Sequence, residues 1–547
     1  MAKNKRSQQT IDDGIPAAQK KAIIDVLSAH PHVEEIYLTG ERARGEYHAQ
    51  SDIQLLLKGE KLTEDDLDEL REELEHIQTD HFADISCLRH TSDTATHVSD
   101  SKTFAIKIMH YSQENRFDLE EWRESTWGQE ISLEYGKSNR NYSKDSGRYR
   151  VFGSNGPIGW SDEYLTIGPG VILGRKGAYR GVQYSKYPFF VIDTAYYVVS
   201  KANHDMRWMY YSIIAHRLGE INDGSPIPST TRSAVYVNSV SIPPIHTQRA
   251  IAHILGSLDD KIELNRKINK TLEAMAQAIF KSWFIDFDPV VWKAVQAGKE
   301  VPEQFHKAAL RYREQPERMK LDAEILNLFP DEFVVSELGW VPRGWEVKSI
   351  GSVVECLGGG TPSTKNPAYW NNGTHPFLTP RDMTKLESHV LLSTSKALSD
   401  EGLQRVSSGQ IQPGAVLMSS RAPIGYLAIN LISVSINQGI IAMVGNSHLP
   451  SIYLLHWIQS QMETIKAAAG GTTFPEISKS NFRNISIAVP LPSSVHAFSA
   501  TVNPLRKRVN DNAKANSQLT QIRDTLLPKL ISGELQVEDV DEVLENV

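Results

Sequence analysis

The stretch that decides the fold is Pro244–Phe287, which reads PIHTQRAIAHILGSLDDKIELNRKINKTLEAMAQAIFKSWFIDF. From Ile251 onward, apolar or Asn residues recur at heptad spacing along two seams. One seam contains Ile251, Leu258, Asn265, Leu272 and Ile279, and the other contains Leu255, Ile262, Asn269, Ala276 and Trp283. Charged and amide residues fill the remaining positions. The pattern predicts one long amphipathic helix whose apolar stripe requires a partner helix.

The partner helix lies in the same chain, 247 residues further on. The first seam then falls on Phe498, Leu505, Asn512, Leu519 and Leu526, and the second on Val502, Val509, Asn516, Arg523 and Leu530. Both Asn positions recur, and only Arg523 breaks the pattern. The two helices are therefore copies of one element.

The repeat extends upstream of the helices. Pro228, Ser233 and Pro243 fall on Pro475, Ser480 and Pro490 at the same offset, and PGVILGRKGAY from Pro169 resembles PGAVLMSSRAPIGY from Pro413. Earlier still, Trp122 lies over Trp345 and Gly128 over Gly351. A period this long indicates a domain duplication rather than a solenoid.

The predicted fold class is a multidomain α+β protein. Two α/β modules are separated by two long antiparallel coiled-coil helices in a pseudo-twofold arrangement, and a small α/β domain precedes them. The predicted boundaries are a front domain at 1–115, a first module at 116–245, a first helix at 246–288, a connecting segment at 289–334, a second module at 335–492, a second helix at 493–535 and an acidic tail at 536–547.

The composition is that of an ordinary globular protein, with 40% hydrophobic and 23% charged residues. Its charge is unevenly distributed. Residues 1–115 hold 13 Lys plus Arg against 22 Asp plus Glu, while the remainder holds 45 against 44. Cys87 and Cys356 lack metal-ligand spacing, and no signal peptide or membrane span is evident. We therefore expect a cytoplasmic protein without a zinc site.

Gly40–Leu55, in the front domain, resembles the signature of the nucleotidyltransferase superfamily. In that family, carboxylates on neighbouring strands hold two magnesium ions. Asp52 matches the first metal ligand and Asp84 the third, but Glu41 replaces the Ser of the motif and Gln54 replaces its second Asp. Because a Gln amide is a poor ligand for a hard cation, we expect the fold without the chemistry: no metal, with Asp52 and Asp84 as vestigial ligands. An unrelated small α/β domain is the alternative.

The duplicated half resembles the specificity subunit of type I restriction–modification systems. The resemblance covers about residues 116–536 and rests on the order of the modules, the helix ending IFKSWFIDFDPV, the opening GWVPRGWEV and the second helix ending RDTLLPKLISGEL. It implies a non-catalytic subunit in which each module, as a target-recognition domain, reads one half of a split, asymmetric DNA sequence. The helices would set the spacing between the halves, and the methyltransferase subunits would dock on the helices and target-recognition domains.

The same resemblance implies partners and cofactors. The partners are double-stranded DNA, two methyltransferase subunits and, where present, motor-nuclease subunits; no membrane is implied. This chain would bind no cofactor itself. S-adenosylmethionine would belong to the methyltransferase subunits, and ATP with magnesium to the motor-nuclease subunit.

The helices have the length that such a spacer needs. A helix of about 36 residues spans roughly 54 Å, whereas one DNA turn is roughly 34–36 Å. Asn265, Asn269, Asn512 and Asn516 then have a role, because a polar residue in an apolar seam penalises slipped registers. The alternative is that they are solvated positions on a loosely packed seam.

Polar residues in loops next to strands are the candidates for DNA contact, since groove readout needs such groups on a rigid frame. In the first module these are Arg175, Lys176, Tyr179, Arg180, Thr230, Thr231 and Arg232. In the second they are Thr361, Ser420, Arg421, Tyr426, Asn437, Gln438, Thr472 and Thr473.

Two other functions compete with DNA recognition. One is an active nucleotidyltransferase that uses the duplicated half as a targeting device, and Gln54 argues against it. The other is a scaffold that binds only protein, and the paired modules with polar loops argue against that.

Overall fold

The computed structural model divides into two compact units, Met1–Arg123 and Glu124–Val547. In the second unit and at its border the structure describes residues 122–139, 141–177, 180–221, 228–471, 475–537 and 540. In the first it describes 15, 23–24, 26–27, 30, 32–33, 35–39, 53–58, 62–75, 83–87 and 106–110.

The first unit contains a four-stranded sheet in the order β3-β2-β1-β4. Its elements are β1 (Glu35–Thr39), β2 (Ile53–Lys58), α1 (Glu64–Glu75), β3 (Ala83–Cys87) and β4 (Ile106–His110). Alternate residues of β2 are buried, as expected for a strand with one face on a core. Strands β2 and β3 are parallel, with Gln54 opposite Asp84. Asp52 and the side chain of Asp84 lie outside the described residues, so the vestigial site stays a prediction.

The first module follows, and its first strand pairs with its last. Its strands are β5 (Arg123–Thr126), β6 (Ile131–Tyr135), β7 (Tyr149–Gly153), β8 (Gly156–Ser161), β9 (Gly170–Gly174), β10 (Val182–Ser185), β11 (Phe189–Val191), β12 (Ala195–Ser200) and β13 (Ser239–Ile242). Its helices are α2 (Trp127–Glu130), α3 (Met206–Ala215) and α4 (Arg232–Tyr236). The sheets are ordered β10-β9-β12-β6, β11-β7-β8 and β13-β5.

The first long helix, α5, spans Ile245–Phe284. A connecting segment then contains α6 (Asp288–Gln296), α7 (His306–Glu314), α8 (Ala323–Leu326), β14 (Phe333–Ser336) and β15 (Gly339–Pro342). The aromatic rings of α5's last turns pack into the core of the second module, where the Phe280 ring lies 5.1 Å from that of Tyr453.

The second module repeats the plan of the first. Its strands are β16 (Glu346–Ser349), β17 (Glu355–Gly358), β18 (His375–Leu378), β19 (Val390–Leu391), β20 (Lys396–Leu398), β21 (Val416–Ser419), β22 (Leu427–Asn430), β23 (Ser435–Ile436), β24 (Ile440–Val444) and β25 (Ser486–Val489). Its helices are α9 (Ile350–Val353), α10 (Pro380–Met383), α11 (Asp400–Leu403), α12 (Ser451–Ser460), α13 (Met462–Ala467) and α14 (Lys479–Arg483). Its sheets run β17-β24-β21-β22-β19, β20-β18-β23 and β16-β25.

The duplication extends to individual backbone hydrogen bonds. Trp127 N donates to Asn238 O at 3.0 Å, and the corresponding Ile350 N donates to Ile485 O at 2.8 Å. Gly128 and Gly351 are equally constrained, because an added Cβ would lie 2.8 Å from Tyr236 or 2.6 Å from Arg483 respectively. The aligned residues of the two copies therefore occupy matching places in matching folds.

The second long helix, α15, spans Pro492–Ser532 and packs along α5. The pair is antiparallel: Asp259, near the start of α5, contacts Arg523, near the end of α15, while Asn269 contacts Asn512. Each helix is about 60 Å long at 1.5 Å per residue. The predicted fold class is confirmed. Among the residues that the structure describes, no helix combines the length and apolar character needed to cross a bilayer.

Candidate nucleic-acid interface

The two candidate stretches of the first module, although 50 residues apart in sequence, meet at the end of β9. Lys176 forms an antiparallel bridge with Ser229, and Thr230 N donates to Arg175 O at 2.9 Å. Since a bridge of this kind fixes both backbones, the polar side chains of the two stretches lie on one rigid frame. Such a frame is what readout of a groove requires.

Arg175 and Arg232 converge on the ring of Tyr135, which is 48% exposed. Their guanidinium carbons lie 5.1 Å and 4.3 Å from the ring centroid. The ring of Tyr196 lies 5.1 Å from that of Tyr135, and burial, together with its side-chain interaction with Tyr135, raises the pKa of Tyr196 to about 12. Two cations are thus held over an exposed aromatic ring, a surface that suits a base or a phosphate.

Other candidates in this module position the loops instead. Arg180 donates to three carbonyl oxygens, those of Gly177, Gly219 and Ile221. Thr230 is buried, and the hydroxyl of Thr231 accepts from Ala234 N at the start of α4. The side chain of Lys176 is exposed. Tyr179 lies outside the described residues.

The second module brings its candidates together at the corresponding place. Arg421 forms an antiparallel bridge with Glu476, and Ile477 N donates to Ser420 O at 3.1 Å, the counterparts of the contacts made by Lys176 and Thr230. The Arg421 guanidinium lies 3.5 Å from the Glu476 carboxylate. Ser420 is buried, so its part in the frame is structural.

Two further candidates of this module, Asn437 and Gln438, directly precede Gly439. Thr361 donates through its hydroxyl to the amide oxygen of Gln438, and both side chains are exposed. Asn437 Oδ1 accepts from Gly439 N at 2.9 Å. Tyr426 is 37% exposed. Thr472 and Thr473 lie outside the described residues.

Sequence reasoning did not select two residues that the structure places at these frames. Tyr135 ends β6, and Lys479 occupies the position of Arg232 at the 247-residue offset. A Cβ added to Gly358, which stands where the first module has Tyr135, would lie 3.4 Å from Lys479. The signal that could have found Lys479 was the offset itself.

Matching places in the two modules therefore carry different chemistry. The first module presents two guanidiniums over Tyr135. The second module has Gly358 in place of that tyrosine, with Lys479 beside it, and presents Arg421, Gln438 and Thr361 as well. In the major groove, Arg pairs with guanine and Gln or Asn with adenine. The two modules can therefore recognise different base sequences.

The four seam Asn residues are buried between the helices rather than solvated, with 2–8% of their surface exposed. They lie midway along both helices and bond to one another and to backbone carbonyls. They therefore lie inside the helix pair and not on an exposed surface.

The first unit contains one group of side chains that the sequence did not suggest. His30, His32 and Asp66 bring their ligand atoms within 4.8 Å of one another. Asp66 already accepts from Thr63 N at 2.7 Å and from the Thr63 hydroxyl, and these bonds lower its pKa to about 2. The group therefore serves as a cap at the start of α1.

Comparison with known proteins gives the following likenesses. A family model described as type I restriction modification DNA specificity domain matches residues 129–274 and 342–504, more than half of the chain. The HindI specificity subunit of Haemophilus influenzae is 33% identical over 349 residues, covering 60% of this chain and 74% of that subunit. The MjaIX specificity subunit of Methanocaldococcus jannaschii is 27% identical over 356 residues, covering 63% and 72%.

Among solved structures, the S subunit of a type I restriction–modification system from M. genitalium aligns with 75% of this chain and 96% of its own. The sequence identity is 14% and the TM-score is 0.43.

Proposed function

The chain belongs to the family of type I restriction–modification specificity subunits, and on that premise we propose that each of its modules reads one half of a split, asymmetric DNA sequence. A specificity subunit recognises DNA and carries no catalytic centre of its own. The proposal assigns one half-site to the frame around Arg175 and Arg232. The other half-site belongs to the frame around Arg421 and Gln438.

The observation that carries this proposal is the contrast between the two frames. Their backbones make equivalent bonds, Thr230 N to Arg175 O and Ile477 N to Ser420 O, yet their exposed side chains differ. Because the backbone frames are equivalent, the two modules present their side chains in related orientations. Because the exposed side chains differ, the two modules have different base preferences. Two identical frames would instead favour a symmetric site.

The paired helices act in this proposal as the spacer. Because α5 and α15 are antiparallel and each about 60 Å long, they support the two modules at opposite ends. The buried Asn layer holds one register, and a slipped register would change the distance between the half-sites.

The proposed partners are double-stranded DNA and two methyltransferase subunits, with motor-nuclease subunits where the system contains them. S-adenosylmethionine would be bound by the methyltransferase subunits, and ATP and magnesium by the motor-nuclease subunit. The expected location is the cytoplasm, where these components meet chromosomal DNA.

The test is to express the chain with its methyltransferase subunit in a host lacking other adenine methylation and to map methyladenine across the genome. The expected result is one split motif, two defined halves around a spacer of fixed length and free sequence. A continuous motif, or no motif in a complex that is correctly assembled, would overturn the proposal.

A further inference from the structure

The two modules differ in length at one segment. Strands β7 and β18 correspond, because each pairs in parallel with one of the matching strands β11 and β23. Strands β9 and β21 correspond as well, since they lie in the matching stretches PGVILG and PGAVLM. In the first module 16 residues (154–169) separate β7 from β9, whereas in the second 37 residues (379–415) separate β18 from β21. The second module therefore contains an additional segment.

The additional segment begins against the frame that is proposed to read the second half-site. Its first turn, α10, is fixed by a capping box in which Thr379 N donates to Asp382 Oδ2 at 2.9 Å. A Cβ added to Gly439 would lie 3.0 Å from both Pro380 Cγ and Arg421 Nε. The start of α10 is therefore packed directly against this frame.

The same segment then crosses to the long helices. Its residues 384–389, which we call the strut, leave the core of the module at Met383 and return to it at Leu391, and both of these side chains are buried. Between them, Glu387 accepts from Arg266 of α5 at two points, from Nε at 2.5 Å and from Nη2. A bidentate pair of this kind fixes direction as well as distance.

The strut is also bonded to both helices at His389. His389 N donates to Glu273 Oε1 of α5 at 2.8 Å, and Arg506 Nη2 of α15 donates to His389 O at 2.6 Å. Burial would raise the pKa of Glu273, but its interactions with His389 and Arg506 outweigh this effect and lower it. Because Glu273 lies one heptad after Arg266 on the same side of α5, the strut follows the helix for about 10 Å.

The strut contacts α5 at the level of the buried Asn layer. Arg266 directly follows Asn265 in the sequence of the helix. A cavity of about 330 Å³ lies between the strut and the helices, and Asn269 and Asn516 contribute to its lining. The strut therefore connects the second module's frame with the part of the seam that specifies register.

The positions that hold the strut are not repeated in the first half. At the 247-residue offset, Arg266 becomes Ala513 and Glu273 becomes Thr520, and neither of these side chains can form an ion pair. The first module is tied to α5 nearer the start of that helix, by an ion pair of 2.9 Å between α3 and Asp260. The two modules are thus held on the helix pair in different ways.

We propose that Arg266 and Glu387 are positioning residues for the second half-site, through a strut that holds the frame around Arg421 and Gln438 at one angle to the helix pair. The inference rests on the proposed function, in which that frame reads DNA. Each base pair of spacer moves a half-site by about 3.4 Å and rotates it by about 35°. A frame released from the strut would therefore accept spacers of neighbouring length.

The energetics of the pair separate positioning from folding. The side chains of Arg266 and Glu387 are 42% and 48% exposed, and an ion pair in such a place contributes little to the stability of the fold. The buried side chains at both ends of the strut remain in place when the pair is lost. Variants of the pair should therefore fold normally while the angle of the frame is no longer fixed.

The strut also constrains how α5 can be lengthened. An insertion after Lys267 moves Arg266 away from Glu273 and would release one end of the strut. An inserted heptad that copies residues 261–267 supplies a second Arg one heptad before Glu273, so that both bonds to α5 can form.

The experiment reverses the charges of the pair one at a time and together. The variants are Arg266→Glu, Glu387→Arg and the exchange Arg266→Glu/Glu387→Arg. Glu401→Arg, at an exposed position on α11 in the same additional segment, is the matched control. Methylation rates of the assembled complexes are measured on duplexes that contain the wild-type motif with its own spacer, or with a spacer one base pair shorter or longer.

Each single variant should lower the preference for the wild-type spacer about fivefold or more, because two like charges then face each other. The base sequences of both half-sites and the thermal melting temperature should stay as in wild type. The exchange variant should restore the preference, and the control should match wild type. Hydrogen exchange of the amides in residues 384–392 should be faster in the single variants and normal in the exchange variant.

Three results would overturn the inference. They are an unchanged spacer preference in both single variants, an exchange variant that restores nothing, and an equal loss in Glu401→Arg. A wild-type complex that assembles but marks no split sequence would instead contradict the proposed function. Hydrogen exchange would then still decide the inference, since unchanged rates in Arg266→Glu and Glu387→Arg would show that the pair does not hold the strut.

Discussion

Asn265 Nδ2 donates to Asn516 Oδ1 at 2.8 Å, and the pseudo-twofold relation maps this bond onto the one from Asn512 Nδ2 to Asn269 Oδ1 at 2.9 Å. The two Asn residues that accept these bonds donate in turn to backbone carbonyls by the same relation, Asn269 Nδ2 to Val509 O and Asn516 Nδ2 to Ile262 O. Four buried amides thus form two matching hydrogen-bonded pairs, which together make a polar layer in the middle of the seam. A slip by either helix would separate all four bonds at once.

Replacing one member of this layer should therefore be more damaging than replacing all four. Asn516→Leu leaves the amide of Asn265 buried and unpaired, which costs about 1–3 kcal/mol in the free energy of unfolding. With all four replaced by Leu the seam is apolar, so stability recovers but register is no longer specified. Urea unfolding measures the first effect, and the spread of spacer lengths in the methylated motif measures the second. Equal stability of the single variant and wild type would contradict this account.

A buried histidine should make the second module sensitive to mild acid. His456 Nδ1 lies 2.7 Å from Gln277 Oε1 and 2.9 Å from Gln459 Oε1, while Nε2 is buried without a partner among the described residues. Burial lowers its pKa to about 4, assisted by the charges of His389 and Arg506. Below an unfolded pKa of about 6.5 the unfolded chain takes up a proton that the folded chain refuses, so stability falls as pH falls.

The expected loss attributable to His456 is roughly 2 kcal/mol between pH 7 and pH 5. Urea unfolding of wild type, His456→Gln and, as a control, the exposed His496→Gln measures it. His456→Gln should show a flatter dependence on pH over this window, and His496→Gln should follow wild type. Parallel curves for all three proteins would show that His456 does not titrate in this way.

The two guanidiniums over Tyr135 should contribute to DNA affinity through the first module. Arg175→Ala/Arg232→Ala is expected to weaken binding of the specific site by tenfold or more, since each good base pairing is worth about 1–3 kcal/mol. Arg148 and Arg150 also lie over aromatic rings in this module, on or beside β7. Arg148→Ala/Arg150→Ala is therefore a matched control. An equal loss of DNA affinity in that variant would show that the effect comes from the removal of positive charge in general and not from Arg175 and Arg232.

The front domain should be dispensable for recognition. Its excess of acidic residues repels phosphates, and Gln54 stands where a second metal-bridging carboxylate is needed. Deleting residues 1–115 should leave sequence-specific methylation by the assembled complex largely intact. The counter-test incubates the intact protein with labelled nucleoside triphosphates and Mg²⁺ or Mn²⁺. Nucleotidyl transfer that is lost in Asp52→Ala would show that the front domain has a functional active site.

The long helices could be predicted from sequence because their constraint is local and periodic. The heptad positions and the 247-residue offset were sufficient to identify both. Arg523, the one residue that breaks the apolar-or-Asn pattern of the seams, makes a defined contact, because its guanidinium donates to Asp259 on α5. A charge in the seam thus reflects a contact that only the three-dimensional pairing reveals.

The residues proposed to contact DNA could be predicted only in part, because distant residues decide which loop side chains are already engaged in hydrogen bonds. Arg180 is a residue type that commonly contacts DNA, yet its guanidinium donates to the carbonyl oxygens of Gly219 and Ile221, about 40 residues away. Tyr135 ends a strand, and no local pattern in the sequence distinguishes it from other strand residues. It was the fold that placed Arg175 and Arg232 over its ring.

The central claim, that paired helices hold two DNA-reading modules at a fixed separation, is tested most directly by lengthening both helices. One heptad inserted between Lys267 and Ile268 and another between Lys514 and Ala515 keep the seam in phase and the Asn pairs opposite each other. The added length is about 10 Å, or roughly three base pairs. The methyladenine map of the complex should then retain both half-sites with a spacer about three base pairs longer. An unchanged spacer in a folded, active variant would contradict the account.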